Sequence, residues 1–80
     1  KPWLCAVSDR YKLVYSDIGD PWLFDLQKDP DEMTNLFSDP ASKMILTQMT
    51  SQLQGYSQRQ KDPYADLPQI KSAMDGVLGK

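Results

Sequence analysis

Residues 10–36 read RYKLVYSDIGDPWLFDLQKDPDEMTNL, and this stretch decides the fold of the chain. Tyr11–Tyr15 places aromatic and aliphatic side chains at every second position, which is typical of a β-strand. The turn cluster Asp17–Asp20 follows, and Pro21 fits only the first position of the next strand. The acidic, proline-containing segment Asp29–Glu32 predicts a turn that leads into a helix. The stretch therefore indicates a β-hairpin followed by a helical segment.

A further strand is predicted ahead of this hairpin, over Trp3–Ser8, because apolar residues occupy both of its alternating faces. Short strands joined by tight turns form an antiparallel meander, which needs a cover to be stable. We expect the cover on the face that carries Trp22, Phe24 and Leu26. A second apolar face is expected to pack against another part of a larger protein or against the C-terminal tail, and its members are Leu4, Ala6, Val14 and Leu23.

The cover is predicted to be a helix that begins near Pro40. Asp39 is a suitable N-cap, and Pro40 fits the first helical position because its missing N–H group has no partner there anyway. Serine, threonine and glutamine residues are expected on the solvent side of this helix. An apolar stripe at helical spacing should face the sheet, and its members are Ile45, Met49, Leu53 and Tyr56, with Met44 beside them.

The C-terminal segment beyond Pro68 has the apolar spacing of a short second helix, carried by Ile70, Met74, Val77 and Leu78. The predicted fold class is therefore α+β. We expect a small antiparallel β-meander of three to four strands, with one α-helix packed on it and a short C-terminal helix. Residues 1–60 should form the sheet-plus-helix subdomain, and residues 61–80 a C-terminal tail.

Length and composition exclude several classes of protein. Eighty residues make one small domain near the lower limit of independent folding. A net charge of −2, with acidic residues concentrated between Asp17 and Asp39, is the opposite of the basic field that nucleic acids need. No apolar run reaches the ~20 residues of a membrane span. Histidine is absent and Cys5 is the only cysteine, which excludes histidine-based catalysis and an internal disulfide.

The same stretch resembles the C-terminal end of the sulfatase family, which includes arylsulfatases and glycan sulfatases. That family carries an R-x-K-hydrophobic strand, followed by an L-[YF]-D-L-x-x-D-P-x-E-x-x-N-L segment. The residues of this chain that match the pattern are Arg10, Lys12, Leu23, Phe24, Asp25, Leu26, Asp29, Pro30, Glu32, Asn35 and Leu36.

By this resemblance the chain is a non-catalytic C-terminal subdomain, and its parent enzyme hydrolyses sulfate esters on a sugar or an aryl group. The resemblance also implies a divalent cation, with calcium favoured, and a formylglycine nucleophile, both held elsewhere in the parent. The implied partners are the catalytic domain of the same chain and a sulfated small molecule or glycan. A secreted, periplasmic or lysosomal-type compartment is favoured. The alternative is a small stand-alone protein-interaction domain, and a C-x-P-S-R motif ahead of Lys1 would decide for the sulfatase.

No residue of this chain is expected to be catalytic. The segment that begins at Cys5 reads CAVSDR and departs from the C-x-P-S-R formylglycine motif of the family at Val7 and at Arg10. We therefore interpret Cys5 as a small apolar residue packed in a strand.

No metal site is expected in the acidic turn either. A calcium loop that starts at Asp29 would need glycine and glutamate where Thr34 and Pro40 stand. The simpler interpretation is a turn in which Asp29 accepts backbone N–H groups, with Glu32 and Asn35 making local caps and turn bonds.

Two kinds of residue are candidates for substrate binding. Arg10 and Lys12 are the basic residues near the hairpin and could face an anionic group, although a solvated or interdomain salt-bridge role is the favoured interpretation. The aromatic residues of the sheet could form a sugar-binding platform, but a sheet of this size needs most of them for its core. These aromatic residues are Trp3, Tyr11, Tyr15, Trp22 and Phe24.

Overall fold

A computed structural model of the protein describes residues 3–79. Lys1 and Pro2, at the start of the predicted subdomain, and Lys80, at the end of the predicted tail, lie outside the described residues. The strands are β1 (Trp3–Val7), β2 (Tyr11–Ser16) and β3 (Trp22–Asp25), and the helices are α1 (Lys43–Arg59) and α2 (Pro68–Leu78). Short 3-10 turns at Pro40–Ser42 and Pro63–Asp66 precede the two helices. The predicted α+β class, the antiparallel meander and the C-terminal helix are confirmed.

The strands form an antiparallel sheet in the order β1-β2-β3. Ser8 closes the first hairpin, because its Oγ accepts the backbone N–H groups of Arg10 at 3.3 Å and Tyr11 at 2.9 Å. In the register that results, Leu4 lies opposite Tyr15 and Ala6 opposite Leu13. The second hairpin pairs Leu13 with Leu23. Directly opposed residues share a face of the sheet, so this register decides which side chains enter the core.

The two faces of the sheet have different environments. The inner face packs against both helices, and its buried members are Leu4, Leu13, Tyr15 and Leu23. The helical side chains in the same core are Leu46, Met49, Leu53, Ile70 and Met74. The outer face carries Trp3, Cys5, Val7, Lys12, Val14, Trp22 and Phe24, as the register requires. None of the outer-face residues belongs to the cluster of buried apolar side chains that joins the helices.

The prediction of which face meets the helix is wrong. Leu23 points to the helices, whereas Trp22 and Phe24 point away from them, and Leu26 lies beyond the end of β3. Of the four residues predicted for the second face, only Val14 lies there. Both faces of β3 are apolar, so the alternation of side chains did not distinguish them. The distinction comes from the pairing of Leu23 with Leu13, which the sequence pattern alone does not reveal.

The first helix begins as predicted. Asp39 accepts the backbone N–H of Ala41 at 3.1 Å, and Pro40 stands at the first position of the 3-10 turn that leads into α1. The predicted stripe is rotated, since Tyr56 and Met44 are exposed and Ile45 is only partly buried. The buried positions of α1 are Leu46, Met49, Thr50, Leu53, Gln54 and Ser57.

Polar residues on the buried side of α1 explain this rotation. Thr50 is fully buried because its hydroxyl lies 2.7 Å from the hydroxyl of Tyr15, which points from the inner face of the sheet. Each of the two hydroxyl groups thereby has a partner inside the core. The expectation that threonine, serine and glutamine face solvent is therefore wrong for Thr50, Gln54 and Ser57.

The second helix completes the core. Ile70 and Met74 are fully buried against the sheet and α1, while Val77 packs at the margin of the same cluster. Pro68 stands in the first turn, where its missing N–H costs nothing. Gly79 ends the helix in the left-handed conformation with φ 74°, which glycine adopts without strain.

We predict that Leu23→Ala lowers the free energy of unfolding by about 2–5 kcal/mol, because it opens a cavity between the sheet and both helices. In a domain of this size such a loss removes most of the stability. Val7→Ala is the matched control, since Val7 is 64% exposed on the outer face. Urea titration of both variants measures the effect, and equal midpoints would contradict the assignment of the inner face.

A second prediction concerns the buried hydroxyl pair. Burial raises the pKa of Tyr15 to about 12, so this hydroxyl stays protonated and needs a partner. Thr50→Val should cost about 1–3 kcal/mol, because it leaves the Tyr15 hydroxyl without that partner. Adding Tyr15→Phe to Thr50→Val should restore part of the loss, which a double-mutant cycle measures. Strictly additive effects would contradict a direct hydrogen bond.

Candidate functional site

The residues that carry the family pattern meet around β3 and bind one another. Arg10, in the first hairpin turn, donates from Nε to both carboxylate oxygens of Asp25 at 3.2 Å, and from Nη2 to Oδ2 at 2.9 Å. Such a forked pair has a defined geometry that a lysine could not reproduce. Oδ1 of Asp25 also accepts the backbone N–H groups of Gln27 at 3.1 Å and Lys28 at 3.3 Å. Asp25 therefore joins the hairpin turn to the turn after β3.

The environment of Asp25 stabilises its charged form. The hydrogen bonds from Arg10, and then those from the two backbone N–H groups, lower the pKa of Asp25 to about 2, although burial opposes the shift. The carboxylate is therefore ionised at neutral and at mildly acidic pH. The carboxylate binds the guanidinium group of Arg10 and does not act as a proton donor.

Asn35 binds the other end of β3. Its Oδ1 accepts the N–H groups of Leu23 and Phe37, both at 3.0 Å, and its Nδ2 donates to the carbonyl of Pro21 at 3.1 Å. The N–H of Leu36 donates to the carbonyl of Leu23 at 2.7 Å. Both backbone groups of Leu23 are thus satisfied along the edge of β3. We call Arg10, Asp25 and Asn35 together the β3 clamp.

The acidic turn between these anchors is held by its own side chains. Asp29 accepts the N–H groups of Met33 at 3.0 Å and Thr34 at 2.8 Å, which confirms the predicted turn. Glu32 adopts the left-handed backbone conformation with φ 56°, and its carboxylate pairs with Lys12 of the central strand at 2.9 Å. The prediction of local bonds is confirmed for Asn35 only in its bond with Phe37, since its other two bonds reach Leu23 and Pro21. Glu32 likewise forms a longer-range ion pair.

Both candidate substrate-binding residues are therefore engaged within the chain. Arg10 pairs with Asp25, and its guanidinium carbon lies 5.2 Å from the centre of the Tyr11 ring. Lys12 pairs with Glu32, which raises the pKa of Lys12 through their hydrogen bond. Substrate binding by either residue stays a prediction. The acidic partners, Asp25 and Glu32, lie 15 and 20 residues away along the chain. The signal for them was their place in the acidic segment of the family pattern, downstream of the R-x-K strand.

The chemistry available to this arrangement is limited. Cys5 is exposed on the outer face and is not packed as expected, but partial desolvation raises the pKa of its thiol, so less of it is in the reactive thiolate form. Within residues 3–79, no group of three or more acidic, cysteine or histidine side chains could hold a metal ion. The divalent cation that the resemblance implies does not fit the residues of this segment. The groups around β3 bind backbone and each other, which stabilises a scaffold.

The aromatic residues are divided between the two faces. Tyr15 is fully buried, meets Phe37 edge to face at 6.0 Å between ring centres, and belongs to the core. Tyr11 is partly buried beside the same core. Trp3 and Trp22 are 53% and 44% exposed on the outer face. Trp3 and Trp22 therefore do not serve the core, contrary to the expectation for most of the aromatic residues. Phe24 is buried, but on the outer face beside Trp22.

Comparison with known proteins places this scaffold in a family. A family model described as "N-sulphoglucosamine sulphohydrolase, C-terminal" matches residues 1–60. An uncharacterized protein of Haemophilus influenzae is 36% identical over 53 residues, which are 66% of this chain and 27% of that relative. The chain thus matches only about a quarter of the length of this curated relative. No helix within residues 3–79 has both the length and the apolar character needed to cross a membrane.

We predict that acid weakens the fold through Asp25. Because the pKa of Asp25 falls to about 2 on folding, the charged carboxylate stabilises the protein above the usual pKa of aspartate. This contribution should disappear as the pH falls from about 4 through about 2. Asp25→Asn should lower the unfolding midpoint at neutral pH and flatten this part of the acid titration.

Asp31→Asn is the control for this experiment, since Asp31 is an exposed residue of the acidic turn that follows β3. Chemical unfolding at several pH values measures both variants. If Asp25→Asn and Asp31→Asn have the same acid titration as the parent chain, the Arg10–Asp25 pair does not stabilise the fold.

Proposed function

Since the chain belongs to the N-sulphoglucosamine sulphohydrolase C-terminal family, we propose that it is the non-catalytic C-terminal subdomain of a sulfatase. The observation that carries this proposal is the family match over residues 1–60, which includes the sheet, the β3 clamp and α1. The catalytic domain belongs to the same polypeptide and is the implied partner of this subdomain.

The chemistry of the chain supports a structural role in the parent enzyme. Sulfate transfer in such an enzyme needs a nucleophile, charge-stabilising residues and metal ligands. This sequence has no histidine, and its single cysteine is the strand residue Cys5. The strongest polar contacts of residues 3–79 hold β3 and its flanking turns in place. The catalytic groups of the parent therefore belong to the part outside this chain.

The family description supports a proposal for the substrate class of the parent. We propose that the parent removes a sulpho group from a sulfated sugar of the glucosamine type. A divalent cation and a formylglycine nucleophile in the catalytic domain complete this proposal. The subdomain contributes by completing the folded enzyme beside that domain.

We predict that the purified 80-residue chain releases no sulfate from a chromogenic aryl sulfate or from N-sulphoglucosamine, because it lacks the groups that the reaction needs. A longer polypeptide that carries this chain behind its catalytic domain should release sulfate. Ion chromatography of free sulfate measures both. Sulfate release by the purified chain, with contaminating enzyme excluded, would overturn the proposal.

Removal of residues 3–79 from the longer polypeptide should lower its melting temperature or cause it to aggregate, because the removal exposes the surface to which the subdomain binds. Differential scanning calorimetry and light scattering measure this effect. A truncated enzyme that stays monomeric, with its melting temperature and kinetics unchanged, would favour the alternative of an independent interaction domain.

A further inference from the structure

The outer face of the sheet is apolar and is only partly covered in the described part of the chain, where Val14 and Phe24 are buried. Both helices lie on the inner face, so neither covers the outer one. Three outer-face residues are large and exposed, namely Trp3, Val7 and Trp22. Ile18, in the turn between β2 and β3, adds another side chain that is 63% exposed. Apolar patches of this kind on soluble proteins mark interaction sites.

One end of this face, beside the turn between β2 and β3, is shaped to receive a side chain. A cavity of about 200 Å³ lies between Trp3 and Trp22, with Val14 as part of its lining. Val14 is only 5% exposed, so the central strand supplies a closed floor, while the tryptophans remain open to solvent. Exposed aromatic residues around a preformed pocket are typical of the anchoring positions of protein interfaces.

Charged residues lie both on this face and at its border. Lys12 lies on the face itself, but Glu32 neutralises it at 2.9 Å. Asp20 lines the cavity between the tryptophans, and Asp17 lies in the same turn cluster. A complementary surface would therefore be apolar at its centre, with basic residues opposite the turn that contains Asp20.

We propose that the catalytic domain of the same polypeptide docks on this outer face and inserts an apolar side chain between Trp3 and Trp22. The inference rests on the proposed function, which supplies the partner. The inner face is already filled by α1 and α2, so the outer face is the apolar side of the sheet that remains for a partner. The matched segment is 27% of the Haemophilus relative, which leaves most of such a polypeptide outside this domain.

The position of the chain entry supports this assignment. In a polypeptide in which this domain is C-terminal, the preceding part joins the domain ahead of β1. The first described residue of β1 is Trp3, which lies on the outer face at the margin of the cavity. The preceding part is thus joined to the chain at the end of the sheet that carries the cavity. Because both domains would belong to one polypeptide, this covalent connection raises the effective concentration of the two surfaces.

Cys5 provides a direct test, because it is the sole cysteine of the chain and is exposed on the outer face between Trp3 and Val7. The rate of alkylation by iodoacetamide is measured at Cys5 by peptide mass spectrometry, in the 80-residue chain and in the longer polypeptide. We expect alkylation in the longer polypeptide to be slower by roughly tenfold or more, since a covered thiol reacts only after local opening.

The control is Met44→Cys, since Met44 is 77% exposed on α1, away from the outer face. This second thiol should react at equal rates in both polypeptides. If Cys5 reacts equally fast in both while the thiol at position 44 becomes protected, the domains dock through the helices and the inference is wrong. If neither thiol is protected, both the inference and the proposed docking of the subdomain are wrong.

A charge on the outer face gives an independent readout. Val7→Asp should leave the melting temperature of the 80-residue chain nearly unchanged, because Val7 is largely exposed there. In the longer polypeptide it should lower the melting temperature and restore fast alkylation of Cys5. Met44→Asp is the matched control and should do neither. Protection of Cys5 in the 80-residue chain that increases with its concentration would assign the face to a second copy and overturn the inference.

Discussion

The register of β3 is the constraint on which the rest of the structure depends. Its side chains alternate, so a shift of one residue would exchange Leu23 for Phe24 in the core. The β3 clamp prevents this shift at both ends of the strand, through the forked Arg10–Asp25 pair and the three hydrogen bonds of Asn35. With Leu23 turned inward, it joins Leu4, Leu13 and Tyr15 beneath the two helices. With Trp22 turned outward, the opposite face keeps its aromatic surface for a partner.

Much of this fold could be predicted from the sequence, because strands, turns and caps depend on local chemistry. Asp39 and Pro40 indicated the start of the first helix, and Ile70 and Met74 indicated the second helix. The choice of faces could not be predicted in this way, since both sides of β3 are apolar and register is a long-range property. The buried side of α1 could not be predicted from the sequence either. Thr50 counts as polar in any hydrophobic pattern, and only the hydroxyl of Tyr15 makes its burial favourable.

The candidate site could also be predicted only in part from the sequence. The R-x-K pattern and the acidic segment were visible in the sequence, and so was their resemblance to sulfatases. Their roles became clear only when the fold brought Asp25 to Arg10 and Glu32 to Lys12. Residues that identify a family need not perform its chemistry. In this chain they hold a strand in register, and the consequence for function is the orientation of the outer face toward the proposed catalytic domain.

The central claim is that the residues of the family pattern build the scaffold and do not take part in the reaction. Asn35→Ala in the longer polypeptide tests this claim most directly, because it removes three hydrogen bonds at the end of β3 without touching an ionisable group. Melting temperature and kcat for sulfate release are measured on the same preparation. We expect a lower melting temperature and an unchanged kcat below the unfolding transition. A large loss of kcat with an unchanged melting temperature would contradict the account.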